Sequence, residues 1–203
     1  AFQYCEVLRK VVFDGLVNEI GEKIFNMCSS LSEVHITNAS LWCQLPFPST
    51  SAPLNCGAKL YLDGNIITDV EISDDVTSIG SYSFYGCDNL NSISFGSGLK
   101  NIQPYAFYGC KNLVEINFPS SLISIGSSAF ANCDNIVSLD IPTTIESIGT
   151  SAFQNCIGLE KVVAHWKEPI IIDNYTTFKN VNSNCFLYIP IGTATKYSTA
   201  GWN

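Results

Sequence analysis

Nine cysteines, two histidines and one adjacent pair of acids are the side chains of this 203-residue chain whose types could do chemistry. Cysteine serves as metal ligand, nucleophile or disulfide partner, and its spacing separates those uses. Cys5, Cys28, Cys87, Cys110, Cys133 and Cys156 share one phase, and the last four fall 23 residues apart. A structural zinc site needs clustered ligands such as Cys-x-x-Cys, and no such pair occurs. The common phase predicts a buried column of reduced thiols, each a small hydrophobe with a weak S–H donor that suits a tight corner facing backbone carbonyls. Cys43 and Cys56 lie outside this phase; a disulfide between them in an oxidising compartment and two free thiols both fit. Cys185 is expected to pack in a terminal cap.

His35 and His165 stand far apart in the sequence. A triad needs the imidazole within hydrogen-bond reach of both a nucleophile and an orienting acid, and the many serines supply hydroxyls without a convincing base. His35 alternates outward on a strand, and His165 stands beside Trp166. The pair Asp74-Asp75 sits at a turn, where carboxylates accept backbone N–H bonds. The other acids are scattered, and none converge as a glycosidase pair must. The expectation is no catalytic residue, no metal and no cofactor.

The elements that hold these side chains follow from a repeat. Phe84, Phe107, Phe130 and Phe153 recur every 23 residues, each three residues ahead of a cysteine. The same step carries Ile79, Ile102, Ile125 and Ile148 before the Phe. It also carries Leu90, Leu113, Ile136 and Leu159, then Ile93, Ile116, Leu139 and Val162, behind it. Phe2, Cys5, Leu8, Val11 and Phe13 hold the phases of one further copy, and Ile20, Phe25, Cys28, Leu31, Val34 and Ile36 those of another. Such a period is the signature of stacked coils, because one coil cannot bury its inward residues without a neighbour.

Within a coil, Leu90-x-x-Ile93-x-Phe95 alternates as a short strand with Ile93 and Phe95 inward. Pro119, Pro142 and Pro190 stop the equivalent strands by removing a ladder donor. A second extended piece ends at Ile125-Gly126, where glycine permits a sharp turn. Ser127, in phase with Ser81 and Thr150, then caps a single helical turn holding Ala129 and Phe130. The expected fold is a β-rich α/β solenoid. It is a right-handed leucine-rich-repeat superhelix of ~23-residue coils with short parallel strands, a one-turn helix per coil and an inserted β-hairpin. About eight coils spaced by the interstrand distance give a body on the order of 40 Å long.

The expected organisation is one domain over 1–203. Residues 1–36 are N-terminal coils that start inside a coil at Ala1-Phe2, which implies missing upstream coils or a leader and anchor. Residues 37–72 are irregular, with a loop from Asn38 to Ala58 through Leu45-Pro46-Phe47-Pro48. A hairpin follows around Asp63-Gly64-Asn65. Regular coils fill 73–164, and a last coil and cap fill 165–203.

Composition excludes two classes. Eighteen acids against ten bases give a net charge of −8, too little positive charge to release counterions from a phosphate backbone, so no nucleic-acid partner is expected. No run of 18 apolar residues exists, so none of this chain is expected to span a membrane.

The unit Ile-Gly-x-x-x-Phe-x-x-Cys-x-x-Leu-x-x-Ile-x-Ile/Phe-Pro resembles the BspA-like leucine-rich repeats, also described from a treponemal protein. Leu41-Trp42-Cys43 followed by Leu60-Tyr-Leu-Asp-Gly64 is similar to an irregular unit of that family. Cys185-Phe-Leu-Tyr-Ile-Pro190 with Gly192, Tyr197, Gly201 and Trp202 is similar to its C-terminal cap. The resemblance implies a bacterial protein that is secreted or displayed at the cell surface, attached to an outer membrane. Its partners would be a host extracellular-matrix protein, another bacterial surface or a glycan. It supplies no catalytic residue.

The outward strand residues form the candidate binding face: Ser92, Ser94, Glu115, Asn117, Ser138, Asp140, Lys161 and Val163. A monomer is expected. The alternative is a structural spacer with no ligand of its own. Trp42, Phe47, Trp166 and Trp202 stand outside the repeat and either anchor a contact or seal the insert and cap. Asn38-Ala-Ser40 and Asn174-Tyr-Thr176 match the glycosylation sequon.

Overall fold

A computed structural model describes residues 2–15, 17, 20–45, 47–173 and 175–202. Of the residues named above, Ala1, Pro46 and Asn174 lie outside these. The elements in chain order are β1 (Lys10–Phe13), β2 (Glu33–Ile36), α1 (Ala39–Trp42), a 3-10 turn (Pro53–Cys56), β3 (Lys59–Leu62), β4 (Asn65–Ile66) and β5 (Asp69–Glu71). Short strands then alternate: β6 (Ser78–Ile79), β7 (Ser92–Ser94), β8 (Asn101–Ile102), β9 (Glu115–Asn117) and β10 (Ser124–Ile125). The chain closes with β11 (Ser138–Ile141), β12 (Ser147–Ile148), β13 (Lys161–Ala164), β14 (Phe186–Tyr188) and α2 (Ala194–Thr199).

These strands form a parallel-strand solenoid of about eight coils. One sheet runs β5-β7-β9-β11-β13-β14 and a second β6-β8-β10-β12, the four coils from β5 to β12 adding one strand to each and the last two adding a strand to the first sheet alone. All pairs in both are parallel, with Ser92 beside Glu115, Glu115 beside Ser138 and Ser138 beside Lys161. A third sheet holds β1, β2 and β3 in parallel, with β4 antiparallel to β3 across Asp63 and Gly64.

Between the sheets runs a stack of rings. Phe84, Phe107, Phe130 and Phe153 are fully buried, with successive centroids 5.1, 5.1 and 5.6 Å apart and planes within 4°. Phe178 extends the stack at 5.3 Å, although it stands 25 residues after Phe153 and therefore off the period.

The expected one-turn helix is absent from the regular coils; among the described residues the α-helices are α1 and α2 alone. The segment around Phe107 is a turn whose N–H groups divide. Those of Ala106, Tyr108 and Cys110 bond back to Gln103, Tyr105 and Phe107 carbonyls of their own coil at 3.2–3.3 Å. Those of Tyr105, Phe107 and Gly109 bond at 2.8–3.1 Å to Ser127, Ala129 and Ala131 of the next coil. A one-turn helix is costly to nucleate, and stacked coils offer lateral acceptors in its place. The turn needs left-handed residues, found at Tyr105 (φ 61°) and Gly109 (φ 74°) and repeated at Ser128 and Asn132. With no helix there to cap, Ser127 uses its carbonyl to accept the Tyr105 N–H and its hydroxyl to meet Thr150 at 3.2 Å.

Gly126 is explained by crowding. Its φ lies outside the left-handed region, and a Cβ there would meet the Pro104 nitrogen at 2.4 Å. Gly149 repeats the approach, 2.4 Å from the Ser127 nitrogen.

The stretch expected as a loop from Asn38 to Ala58 belongs to the core. Asn38 caps α1 by accepting from the Leu41 N–H at 2.9 Å. Trp42, Cys43, Leu45, Phe47 and Leu54 are buried, and the Trp42 indole donates to the Ser83 carbonyl at 2.7 Å. The segment therefore fills the core where a regular coil would.

Phe130→Ala removes a ring packed on both faces and is expected to cost about 3–5 kcal/mol. A urea midpoint equal to that of the parent chain would show that the ring stack does not support the fold.

Candidate binding face

The cysteine column has a repeated geometry and is buried at Cys28, Cys87, Cys110, Cys133 and Cys156, whereas Cys5 in the first coil, expected in the same buried column, is only half-buried because no described coil packs on its outer side. The Cys110 thiol donates to the Phe84 carbonyl at 3.1 Å, Cys133 to Phe107 at 3.1 Å, and Cys156 to Phe130 at 3.2 Å. Cys28 does the same to Phe2 at 3.1 Å. Each thiol thus fastens its coil to the one before. Cys56, placed off phase by the sequence, approaches the Phe25 carbonyl at 3.6 Å and occupies the same station for its own coil. Cys43 turns to the Ser40 carbonyl at 3.3 Å, and all nine cysteines are free thiols. Burial pushes the Cys156 and Cys43 thiols up to about 12, and Cys110 and Cys133 well above the ordinary 9.0. Such protonated thiols are poor nucleophiles and poor metal ligands. Cys185 is half-buried against the core.

The acids are held by local donors. The Asp74 carboxylate accepts from the Ser97 N–H at 2.7 Å and the Ser97 hydroxyl at 3.0 Å, which holds it below the usual carboxylate range. Asp69 is lowered likewise, first by the Ser92 hydroxyl at 2.5 Å and then by Thr68. Among the described residues no group of three or more His, Cys, Asp or Glu side chains is arranged to hold a metal ion. A cleft of about 390 Å³ opens beside α1, lined by Phe13, Ile36, Leu41 and Trp42, with Asp14 the one ionisable residue among the described residues that line it.

The sheet β5 to β14 arranges the outward side chains in two columns. One runs Asp69, Ser92, Glu115, Ser138, Lys161, Phe186; the other runs Glu71, Ser94, Asn117, Asp140, Val163, Tyr188. All eight candidate residues lie in these columns, seven exposed and Val163 half-buried. The sequence reading omitted both ends: Asp69 and Glu71, and the exposed aromatics Phe186 and Tyr188. Their strands lie beside irregular segments where the period fails, although alternation within Phe186-Leu187-Tyr188 pointed outward in the same way.

Two contacts cross the face. Lys161 places its ammonium 5.2 Å from the Tyr188 ring centroid, a cation–π arrangement. His165 Nε2 lies 2.7 Å from Asp140 Oδ1, a pairing 25 residues apart that the sequence reading missed. It forms the acid–imidazole half of a triad, but the described residues give that ring no hydroxyl or thiol partner, and both groups are exposed. On the third sheet the His35 ring stacks on Tyr61 at 4.5 Å and meets Glu33 at 2.9 Å. The four aromatics outside the repeat are buried. Trp166 and Trp202 lie 5.6 Å apart, their indoles donating to Thr143 and Ile170 carbonyls, so they seal the cap and do not reach solvent as anchors.

A polar ladder on the outside and a continuous ring stack within define a repeat scaffold with one long exposed sheet. The BspA type leucine-rich repeat region matches residues 1–42 and 57–186 in six copies, and the chain belongs to that family. Among solved structures, the chain is similar to a leucine-rich cell surface protein from Faecalibacterium prausnitzii. The TM-score is 0.70 at 19% identity, over 100% of this chain and 65% of that one. It is similar to the Treponema pallidum leucine-rich repeat protein, with TM-score 0.53 at 21% identity over 96% and 84%. It is also similar to the pneumococcal vaccine antigen PcpA, with TM-score 0.63 at 16% identity over 95% and 54%. The chain thus spans under two thirds of the first and third of these proteins, and the likeness shows the fold. No curated protein sequence matches the chain. No helix among the described residues is long and apolar enough to cross a membrane.

The thiols yield two expectations. In the native state a thiol reagent should react readily with exposed Cys56 and slowly or not at all with the buried column, whereas denaturant without reductant should release nine thiols. Stability should respond to alkali with a definite sign. Folding holds Cys156 protonated up to about 12 against an ordinary 9.0, so above pH 9 the unfolded chain binds fewer protons and stability falls. Urea midpoints should hold below pH 9 and decline through pH 12, and less steeply in Cys133→Ala/Cys156→Ala. A midpoint flat to pH 11 would contradict the burial of these thiols.

Proposed function

We propose that the chain is a non-enzymatic binding or adhesion module displayed at a bacterial cell surface or secreted, and that it contacts a protein or glycan through the strand face. The observation that carries this reading is the parallel ladder of β5 to β14, which gathers Ser92, Ser94, Glu115, Asn117, Ser138, Asp140, Lys161 and Val163 into one continuous surface. Solenoids bind extended partners on such faces. The columns mix carboxylates, hydroxyls, an amide and an ammonium, and end on two exposed aromatics, of the residue class enriched at binding hot spots. The cell-surface naming of the Faecalibacterium protein supports the compartment.

Host matrix proteins such as fibronectin and fibrinogen, and a panel of immobilised glycans, are the ligands to test by surface plasmon resonance. Binding by the parent chain that weakens at least about tenfold in Glu115→Lys/Asp140→Lys/Lys161→Glu would support the face. Undiminished binding by that variant would remove the face as the site. No binding to any of these ligands would favour the spacer reading, in which the coils only hold another domain away from the cell.

A further inference from the structure

The open edge of the long sheet carries a pattern that matches itself. β14 is the last strand of that sheet, and among the described residues no strand pairs its other side. Natural edge strands are blunted by charges, proline or bulges. Here Cys185-Phe186-Leu187-Tyr188-Ile189 carries no charge. Phe186 is 66% exposed and Tyr188 52%. Leu187, in the phase of buried Val162, is left 37% exposed above a cavity of about 310 Å³ lined by Val162, Phe178, Val181 and Trp202.

The backbone phase of this edge is fixed. The Phe186 N–H bonds to the Glu160 carbonyl at 2.9 Å, on the β13 side. Parallel pairing uses alternate residues, so Phe186 and Tyr188 spend their amide and carbonyl groups on β13, and Leu187 turns both of its groups to the open side. In an antiparallel ladder, the residue with both groups directed at its partner is the one that exchanges two hydrogen bonds with the residue opposite.

We propose that β14 pairs with β14 of a second copy of this chain, antiparallel and about a two-fold axis through Leu187. Leu187 of each copy then exchanges both backbone bonds with its equivalent. Phe186 falls opposite Tyr188 of the other copy twice over, in the closely spaced non-hydrogen-bonded pairs where cross-strand aromatics stabilise each other. The two Leu187 side chains meet over the open ends of both cores. Lys161 remains over the Tyr188 ring, and the uncharged strand spares the pair a direct encounter between copies that each carry −8. The interface is isologous and therefore closes at two copies.

Sedimentation of the chain from about 1 μM to about 1 mM should show dimer growing with concentration, as mass action requires. Phe186→Glu/Tyr188→Glu and Phe186→Lys/Tyr188→Lys each place like charges opposite one another, and should raise the dissociation constant at least about tenfold. An equimolar mixture of the two should restore dimer through opposite charges. A parent chain that stays monomeric throughout, variants that still dimerise, or a mixture that fails to reassociate would overturn the proposal. Hydrogen exchange on the unaltered chain tests the same contact without substitution. The Leu187 amide should exchange more slowly as concentration rises, and concentration-independent exchange would overturn it.

Discussion

Every level of this molecule depends on coils lying at strand spacing from one another. At that distance the backbone of one coil becomes the hydrogen-bonding partner of the next, in the two regular sheets and again in the turn ladder between Phe107 or Gly109 and the alanines of the following coil. The phenylalanine stack and the thiol-to-carbonyl bonds repeat at the same step. A side chain added at Gly126 would collide with backbone because that step is so short. Stability of this kind is a sum over neighbouring coils, which explains why apolar phase was kept while outward residues vary freely between serine, glutamate, asparagine and lysine.

What could be read in the amino-acid order was whatever repeats at fixed spacing. The inward phases of Ile93, Ile116 and Leu139, the buried thiols and the parallel register all follow from the 23-residue step. The turn conformation was not legible, because half of its amides are satisfied by another coil and local helix rules do not register that competition. The insert was misread as loop because its anchor, the indole of Trp42 on the Ser83 carbonyl, spans 41 residues. Phe178 and the His165–Asp140 contact were missed for a related reason: both use a 25-residue step, created by small irregularities that shift the phase.

The chemistry-bearing residues divide by burial. Of the cysteines that first suggest catalysis or metal binding, Cys28, Cys110, Cys133 and Cys156 act as short tethers between coils, and burial suppresses the ionisation of Cys110, Cys133 and Cys156. The residues free to meet a partner are the outward ones, whose types alone identify no ligand. The family supplies the architecture, and the character of the face comes from columns that only the folded chain assembles. Asp140, for example, gains its histidine neighbour from the next coil.

The interruption at β4 has a mechanical consequence. β3 turns back into an antiparallel strand, so the outer sheet of the first coils does not run on into β5. Tension applied along the stacking axis would open lateral bonds one rung at a time. Each released coil of 23 residues would lengthen the chain by roughly 80 Å at about 3.4 Å per residue. The junction at β3 and β5 lacks one of the ladders that carry such a load elsewhere and is bridged by the buried side chains of the insert and by isolated backbone bonds such as Gly80 N–H to the Cys43 carbonyl, so a pulled rod should part there first.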